Sequence, residues 1–151
     1  METPPLLPLA DLIVTLGEPM ELGDTPRGRR RIIPITGGRA SGRIAGEILA
    51  LGADWQTILA DGTAELDARY VIRTDDGAQI DIRNFGLRHG PQDVIEALAQ
   101  GAKVDPSHYY MRTQPRFETG DPRYAWLNRI IGVGTGSREA DCVRLRLFEL
   151  G

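Results

Sequence analysis

Residues 63–73 carry the clearest alternation of apolar and polar side chains in the chain. Successive side chains of a β-strand point to opposite faces, so this pattern predicts a strand with one apolar and one mostly polar face. The Asp-Gly pair at residues 76–77 favours a tight turn, and the alternation resumes at residues 78–82. The segment therefore predicts a β-hairpin. The apolar face of its first strand consists of Ala64, Leu66, Ala68, Tyr70 and Ile72.

Short apolar segments separated by glycine and proline predict further strands on both sides of this hairpin. These strands are predicted at residues 12–16, 31–35, 43–51, 55–59, 108–113, 125–133 and 141–150. Loops or turns are predicted at residues 21–29, at 84–90 and around the glycines of 132–136. Many short strands at close spacing are typical of sandwiches and barrels.

The sequence predicts one helix, at residues 91–100. Pro91 suits the first helical turn, Val94 and Leu98 share an apolar face, and Gly101 is placed to end the helix. One short helix among about eight strands indicates a mainly β fold. We therefore predict a single small antiparallel β-barrel with lipocalin-like architecture, because closure of the sheet removes its exposed edges.

Composition narrows the classes of function. A chain of 151 residues with 41% hydrophobic and 26% charged residues is expected to form one globular domain over residues 1–151. The net charge of −3 predicts neither nucleic acid nor an anionic membrane as a partner. Cys142 is the sole cysteine, which excludes an internal disulfide and is typical of the reducing cytoplasm. The expected partner is a small molecule.

The polar face of the 63–73 strand is the first candidate for chemistry. It presents Glu65, Asp67 and Arg69, two acids and a base on one side of the strand. Facing a pocket, these groups could bind a ligand and move protons. Facing water, they would form an exposed ladder of ion pairs worth about 0–1 kcal/mol. The sequence leaves both alternatives open, because a shift of one residue in register would exchange the two faces.

A second cluster lies at residues 108–118. On a strand, Tyr110 and Arg112 share a face, and Glu118 follows further along. A hydroxyl, a guanidinium and a carboxylate that line a barrel could bind the polar group of an otherwise apolar ligand, and a tyrosine can transfer a proton. The alternative is that the tyrosine packs in the core while Arg112 pairs with a nearby acid.

Trp55, Trp126 and Asn128 complete the candidate ligand-binding residues. Each tryptophan is expected either in the core or in the wall of a pocket. Asn128, between apolar neighbours, is expected either to bond a backbone group or to point into a cavity. No metal site is expected, because His89 and His108 are far apart and zinc-ligand spacing is absent. The glycines of 132–136 do not follow a βαβ pattern, so no dinucleotide cofactor is expected either.

An ordered set of short motifs resembles a known family. The motifs are Asp54-Trp55, Asp61-Gly62, residues 66–70, residues 74–80, Val104-Asp105-Pro106, Tyr109-Tyr110-x-Arg112-Thr113, Phe117-Glu118-Thr119, Trp126-Leu127-Asn128 and Gly136-x-Arg138. Together they resemble domain of unknown function 3237, or uncharacterised protein family 0311, which has bacterial and fungal members. The resemblance runs from about residue 42 to the C-terminus and implies a single small β-barrel. It implies no catalytic mechanism, although most of the candidate residues fall within the matching segments.

Three functions are compatible with these observations. The first is a cofactor-independent lyase or isomerase that acts on a small, partly apolar, aromatic or carbonyl-containing molecule. In that function Asp67 or Glu118 accepts a proton, Tyr110 donates one and Arg112 anchors an oxygenated group. The second is a barrel that binds a hydrophobic ligand without chemistry. The third is a structural protein that forms homo-oligomers through the polar face of the 63–73 strand.

Overall fold

Antiparallel strands close into a β-barrel in the computed structural model, which describes residues 1–151. The strands are β1 (Leu6–Leu16), β2 (Met20–Thr25), β3 (Gly28–Gly42), β4 (Gly46–Ile48), β5 (Gly52–Ile58), β6 (Ala64–Thr74), β7 (Gln79–His89), β8 (Tyr110–Glu118), β9 (Ile131–Arg138) and β10 (Cys142–Leu150). Both β4 and β5 lie between β3 and β6, and β1 pairs with both β3 and β10, which closes the barrel. The predicted antiparallel barrel is confirmed.

The predicted helix is also present. It is α1 (Gln92–Ala99), which starts directly after Pro91, and Gly101 follows it with a φ of 79°. Two 3-10 helices, Pro106–His108 and Pro122–Arg129, lie in other connections. None of the helices is long and apolar enough to cross a lipid bilayer.

The predicted hairpin is β6–β7. Gly77 occupies its turn with a φ of 94°, a conformation that favours glycine. Leu66, Tyr70 and Ile72 are almost fully buried, so the apolar face of β6 lines the barrel interior. The polar face, with Asp67 and Arg69, lies on the outer surface. The interior of the barrel must therefore take its chemistry from other strands.

The strand predicted at residues 125–133 is wrong in its first half. Residues Pro122–Arg129 form a 3-10 helix, and β9 begins only at Ile131. Asp121 starts the helix, because its side chain accepts a hydrogen bond from the backbone N–H of Arg123. Leu127 in this helix is buried. Over so few residues, the apolar side chains fit the two-residue period of a strand as well as the three-residue period of a 3-10 helix.

Three segments predicted as loops or turns are strands. The alternation of β7 continues to His89, and the glycines of residues 132–136 lie within β9. The residues of β2 are all exposed, and this strand pairs with β3. Those glycines face inward, and a Cβ at Gly134 would lie within 3 Å of both Thr113 Oγ1 and Leu147 Cδ2. Glycine here allows side chains from neighbouring strands to approach closely.

The two ends of the barrel differ in chemistry. The end where β6 turns into β7, here called the apolar end, holds a hydrophobic cluster of 16 buried residues, and Leu127 from the 3-10 helix packs into it. The opposite end, where β7 and β9 finish and β3 begins, is here called the arginine end because Arg31, Arg88 and Arg138 face inward there. Leu98 of α1 packs on inward-facing residues of β6 and β8, so the helix covers part of this end.

Truncating Leu127 is expected to lower the free energy of unfolding strongly. The side chain is 1% exposed within the apolar cluster, and a buried Leu→Ala change costs about 2–5 kcal/mol because it leaves a cavity. Denaturant unfolding of Leu127→Ala checks this. The control is Leu51→Ala, because Leu51 is 70% exposed, and its cost should stay within about 0.5 kcal/mol. Equal losses in the two variants would contradict the role given to Leu127.

Candidate functional site

The inward face of β7 changes from apolar to polar along its length. Ile80 and Ile82 are fully buried in the apolar cluster, whereas Asn84 and Arg88 follow on the same face. Asn84 is 3% exposed and Arg88 is 7% exposed. Buried arginines are uncommon unless a partner neutralises them. The change along this face therefore marks the start of a polar interior at the arginine end.

A chain of hydrogen bonds links β3, β5 and β6 inside this end. Arg31 Nε donates to Gln56 Oε1 at 2.8 Å, and Gln56 Nε2 donates to Asp54 Oδ2 at 2.7 Å. The backbone N–H of Asp67 donates to Asp54 Oδ1 at 2.9 Å. These bonds fix the orientation of the Gln56 amide, because its oxygen must face the guanidinium and its nitrogen the carboxylate. Asp54 is thereby held in one position.

Asp54 lies inside the arginine end of the barrel. Its side chain is surrounded by protein on nearly all sides, yet the residue keeps some contact with solvent. Burial raises the pKa of its carboxyl, while the hydrogen bonds from Gln56 and Asp67 and the nearby Arg88 act in the opposite direction. A buried carboxyl whose pKa is raised is a candidate for proton transfer.

Three arginines surround this single carboxylate. Burial, followed by the charges of Arg31 and Arg138, lowers the pKa of Arg88 to about 10. Burial is also the largest cause that lowers the pKa of Arg31 and of Arg138. All ten ion pairs of the protein involve other residues. This part of the interior therefore concentrates positive charge, and no carboxylate forms an ion pair with it.

Several polar atoms in the interior lack a hydrogen-bond partner. They are Tyr70 Oη, Asn84 Oδ1, Thr113 Oγ1 and Arg138 Nη1. The hydroxyl of Tyr70 lies beside the Asn84 amide without the geometry of a hydrogen bond, and burial raises its pKa. Buried polar atoms almost always have partners, so these atoms mark positions that a bound molecule or ordered water would satisfy.

The structure places Asp67, Arg69 and Glu118 on the outer surface. Arg69 pairs with Asp81 at 2.9 Å, and the Asp67 carboxylate lies 3.5 Å from Arg83. Glu118 is exposed at the far end of β8. These contacts form the ladder of surface ion pairs that was one of the two alternatives for this face. Asp67 nevertheless touches the interior site, because its backbone N–H binds Asp54.

Tyr110 and Arg112 share a strand face, as expected, and this face is also the outer one. The Tyr110 ring stacks on His89 at 4.8 Å, and the Arg112 guanidinium lies 5.3 Å from the same ring. They border an outer cleft of about 420 Å³, which also contacts Phe85 and Leu87. Glu118, six residues beyond Arg112 on β8, lies roughly 20 Å away at the usual rise of a strand. The structure therefore does not bring Glu118 together with the other two.

The remaining candidates occupy three separate places. Trp55 is 48% exposed and lies on the outer face of β5. Trp126 is half-buried, with the Arg43 guanidinium 4.4 Å above its ring. Asn128 accepts a hydrogen bond from the Thr119 N–H and donates one to the Thr119 carbonyl oxygen, both at 2.9 Å. Asn128 thus bonds a backbone group, and whether any of the three also contacts a ligand stays a prediction.

Sequence reasoning missed most of the interior site. Arg31, Gln56, Arg88 and Arg138 are absent from the predicted site, and Asp54 is expected only as a turn or capping residue. The signal that could have found them is the alternation itself. Continued beyond Ile82, it places Asn84 and Arg88 inside, and applied to β5 it places Asp54 and Gln56 opposite Trp55.

Comparison with known proteins identifies the family. A family model described as "Protein of unknown function (DUF3237)" matches residues 4–150. The chain belongs to this family. The resemblance carried by the ordered motifs is therefore confirmed, and the DUF3237 match also includes the N-terminal strands. The UPF0311 protein RPA1785 of Rhodopseudomonas palustris is 45% identical over 136 residues, which cover 89% of each chain.

Solved structures share the barrel of this DUF3237 protein. The crystal structure of RPA1785, a conserved protein of unknown function, superposes with a TM-score of 0.95 at 39% identity and covers 99% of each chain. A β-barrel-like protein from Acinetobacter baumannii has a TM-score of 0.86 at 43% identity, again over 99% of each chain. A structure described as an enzyme from Penicillium herquei has a TM-score of 0.75 at 22% identity, over 100% of this chain and 97% of the other. The last likeness shows the fold alone.

Proposed function

We propose that this DUF3237 protein binds a small, partly apolar molecule with an aromatic or carbonyl group inside the arginine end, and that Asp54 exchanges a proton with it. The observation that carries the proposal is the set of buried polar atoms without partners on Tyr70, Asn84 and Thr113. A ligand with a carbonyl or hydroxyl group would satisfy them. Leu66 and Met111 offer apolar surface to the rest of such a molecule.

The proposed chemistry is general acid/base catalysis, as in a cofactor-independent lyase or isomerase. Asp54 supplies the proton acceptor, and Gln56 together with the Asp67 N–H holds its two oxygens in place. A positioned carboxylate contributes about 100-fold to 10,000-fold to such a step. The rate of proton transfer should increase with pH as Asp54 ionises. The midpoint should lie above the ordinary pKa of aspartate, because burial raises the pKa of Asp54.

Deuterium exchange tests this function. The purified protein is incubated in D2O with carbonyl compounds that carry α-hydrogens, and NMR follows the loss of those hydrogens. We expect exchange with the wild-type protein and a loss of about 100-fold or more in Asp54→Asn. The matched control is Asp75→Asn, because Asp75 is an exposed carboxylate at the apolar end.

The outcomes of this experiment separate the interior site from the outer face. Exchange that survives in Asp54→Asn but disappears in Asp67→Asn would move the chemistry to the outer surface of β6. Exchange that is equal in wild type and Asp54→Asn would remove the catalytic part of the proposal. A set of carbonyl compounds that neither exchange nor bind would remove the function altogether.

A second candidate function is binding of an apolar ligand, without chemistry, in the outer cleft. The observation that favours it is the exposure of Phe85, Leu87 and Tyr110 around a cleft that also contacts Arg112. Thermal-shift measurements with phenols and aromatic acids on Arg112→Ala distinguish the two sites. A ligand-induced shift that is lost in this variant would assign binding to the outer cleft, and one that persists would assign it elsewhere.

A further inference from the structure

The arginine end places three positively charged side chains inside the barrel. Arg31 and Arg138 both lower the pKa of Arg88, and Asp54 is the carboxylate that acts on all three arginines. Glu21 also acts on Arg31 and Asp141 on Arg138, but no carboxylate forms an ion pair with any of the three guanidinium groups. Burying charge without a direct partner is unfavourable, so the protein tolerates a cost here.

Several arginines on the outer surface, by contrast, form direct ion pairs. Arg43, Arg123 and Arg146 each lie within 3 Å of a carboxylate oxygen, although all are well exposed to water. Arg31, Arg88 and Arg138 are more buried than these three arginines and yet form no ion pair. This contrast indicates that the missing negative charge comes from a molecule outside the chain.

We propose that the arginine end binds a small organic oxyanion, a carboxylate or an enolate or phenolate oxygen, whose charge lies against Arg31, Arg88 and Arg138. The planar guanidinium suits such groups because its N–H donors can form two parallel hydrogen bonds to them. The inference rests on the proposed function and specifies the charge of its ligand.

Buried polar atoms in the barrel interior restrict the remainder of the proposed ligand. The oxygens of Tyr70, Asn84 and Thr113 lie without partners inside the barrel, on strands that pair directly with one another. Beside them, Leu66 and Met111 are apolar. The ligand is therefore an anion with an apolar body and a second polar group, such as a hydroxyl or carbonyl, rather than an inorganic ion.

Matched pairs of anionic and neutral compounds test the charge of the ligand. Benzoate is compared with benzamide, and ionised 4-nitrophenol with nitrobenzene, by the shift that each produces in the melting temperature. A ligand that binds only the folded state raises Tm, by about 5–10 °C for a domain of this size at roughly 100 times its Kd. We expect a shift with an anion and a clearly smaller one with its neutral counterpart. Benzoate and nitrophenolate distinguish a carboxylate from a phenolate oxygen.

Variants locate the binding site. The shift should be lost in Arg88→Gln and in Arg138→Gln, and it should persist in Arg116→Gln, which alters an exposed arginine on the outer face of β8. Two interior variants are used so that failure of one to fold does not decide the result. Arg112→Gln provides the corresponding test for the outer cleft.

Each outcome is decisive. Equal shifts with anionic and neutral compounds would overturn the anion inference while leaving the proposed binding function intact. Anion shifts that persist in both interior variants would place the anion elsewhere and overturn the inference as well. If no compound of either charge shifts Tm, the inference and the proposed function fail together.

Discussion

Replacing Arg88 with methionine is expected to raise the free energy of unfolding by about 1–3 kcal/mol at neutral pH, in protein free of bound anions. The physical reason is the pKa of Arg88, which burial and the charges of Arg31 and Arg138 lower to about 10. A lowered pKa means that the folded protein holds the charged guanidinium less favourably than the unfolded chain does. Methionine has a similar length and fills the same space without a charge.

The pH dependence has a definite sign. Between the folded pKa of about 10 and the higher pKa of arginine in the unfolded chain, the unfolded chain binds more protons at Arg88 than the folded protein does. Stability contributed by this residue therefore increases with pH through that range and is lowest below it. Asp54 reduces the effect, because it is the opposite charge that raises the pKa of Arg88, and Tyr109 acts in the same direction.

Denaturant unfolding of Arg88→Met beside Arg116→Met measures this effect. The control removes an exposed arginine from the outer face of β8, so its effect should stay within about 0.5 kcal/mol. A stabilised Arg88→Met variant that no longer responds to an oxyanion would show that the residue is retained for binding rather than for stability. A loss of more than about 1 kcal/mol would show instead that Arg88 already has a neutralising partner in the free protein.

The parts of the fold that could be predicted are those in which one local rule decides the structure. The β6–β7 hairpin follows from alternation and an Asp-Gly turn, and α1 follows from Pro91, an apolar face and Gly101. Residues 125–129 are predicted as strand although they lie in the 3-10 helix Pro122–Arg129, because their apolar residues fit either period over so short a distance. The glycines of β9 predict a turn because the side chains that they accommodate belong to β8 and β10, which are distant in the sequence.

The candidate site was harder to predict, for a physical reason. Polar residues on a strand normally face water, so Asp67, Arg69 and Arg112 attract attention while the interior is assumed to be apolar. In this barrel the inward face is itself polar at one end, and Arg88 lies on the same strand face as Ile80 and Ile82. Only the closed barrel shows that Arg31, Arg88 and Arg138, from three different strands, meet around Asp54.

Closure of the barrel depends on one glycine, and Gly38→Ala is expected to lower the free energy of unfolding by about 4 kcal/mol. At Gly38 the strand β3 pairs with Val14 of β1, and its φ of 136° lies in a region that other residues rarely adopt. A Cβ there would lie 2.0 Å from the carbonyl oxygen of Ile13. The backbone of β1 or β3 would have to move, which weakens the pairing of these two strands that closes the barrel.

Gly77→Ala is the matched control, because it separates backbone strain from the steric clash. Gly77 also has a positive φ, 94°, but no atom lies within 4 Å of the position its Cβ would take. Strain alone is expected to cost about 1–2 kcal/mol there, so the remaining loss in Gly38→Ala measures the contact with β1. A domain with a free energy of unfolding of about 5–15 kcal/mol would remain folded with Gly77→Ala, whereas Gly38→Ala would remove a large part of its stability. Equal losses in urea unfolding would mean that β1 and β3 separate at Gly38 at little cost, and that closure depends on other contacts between the two strands.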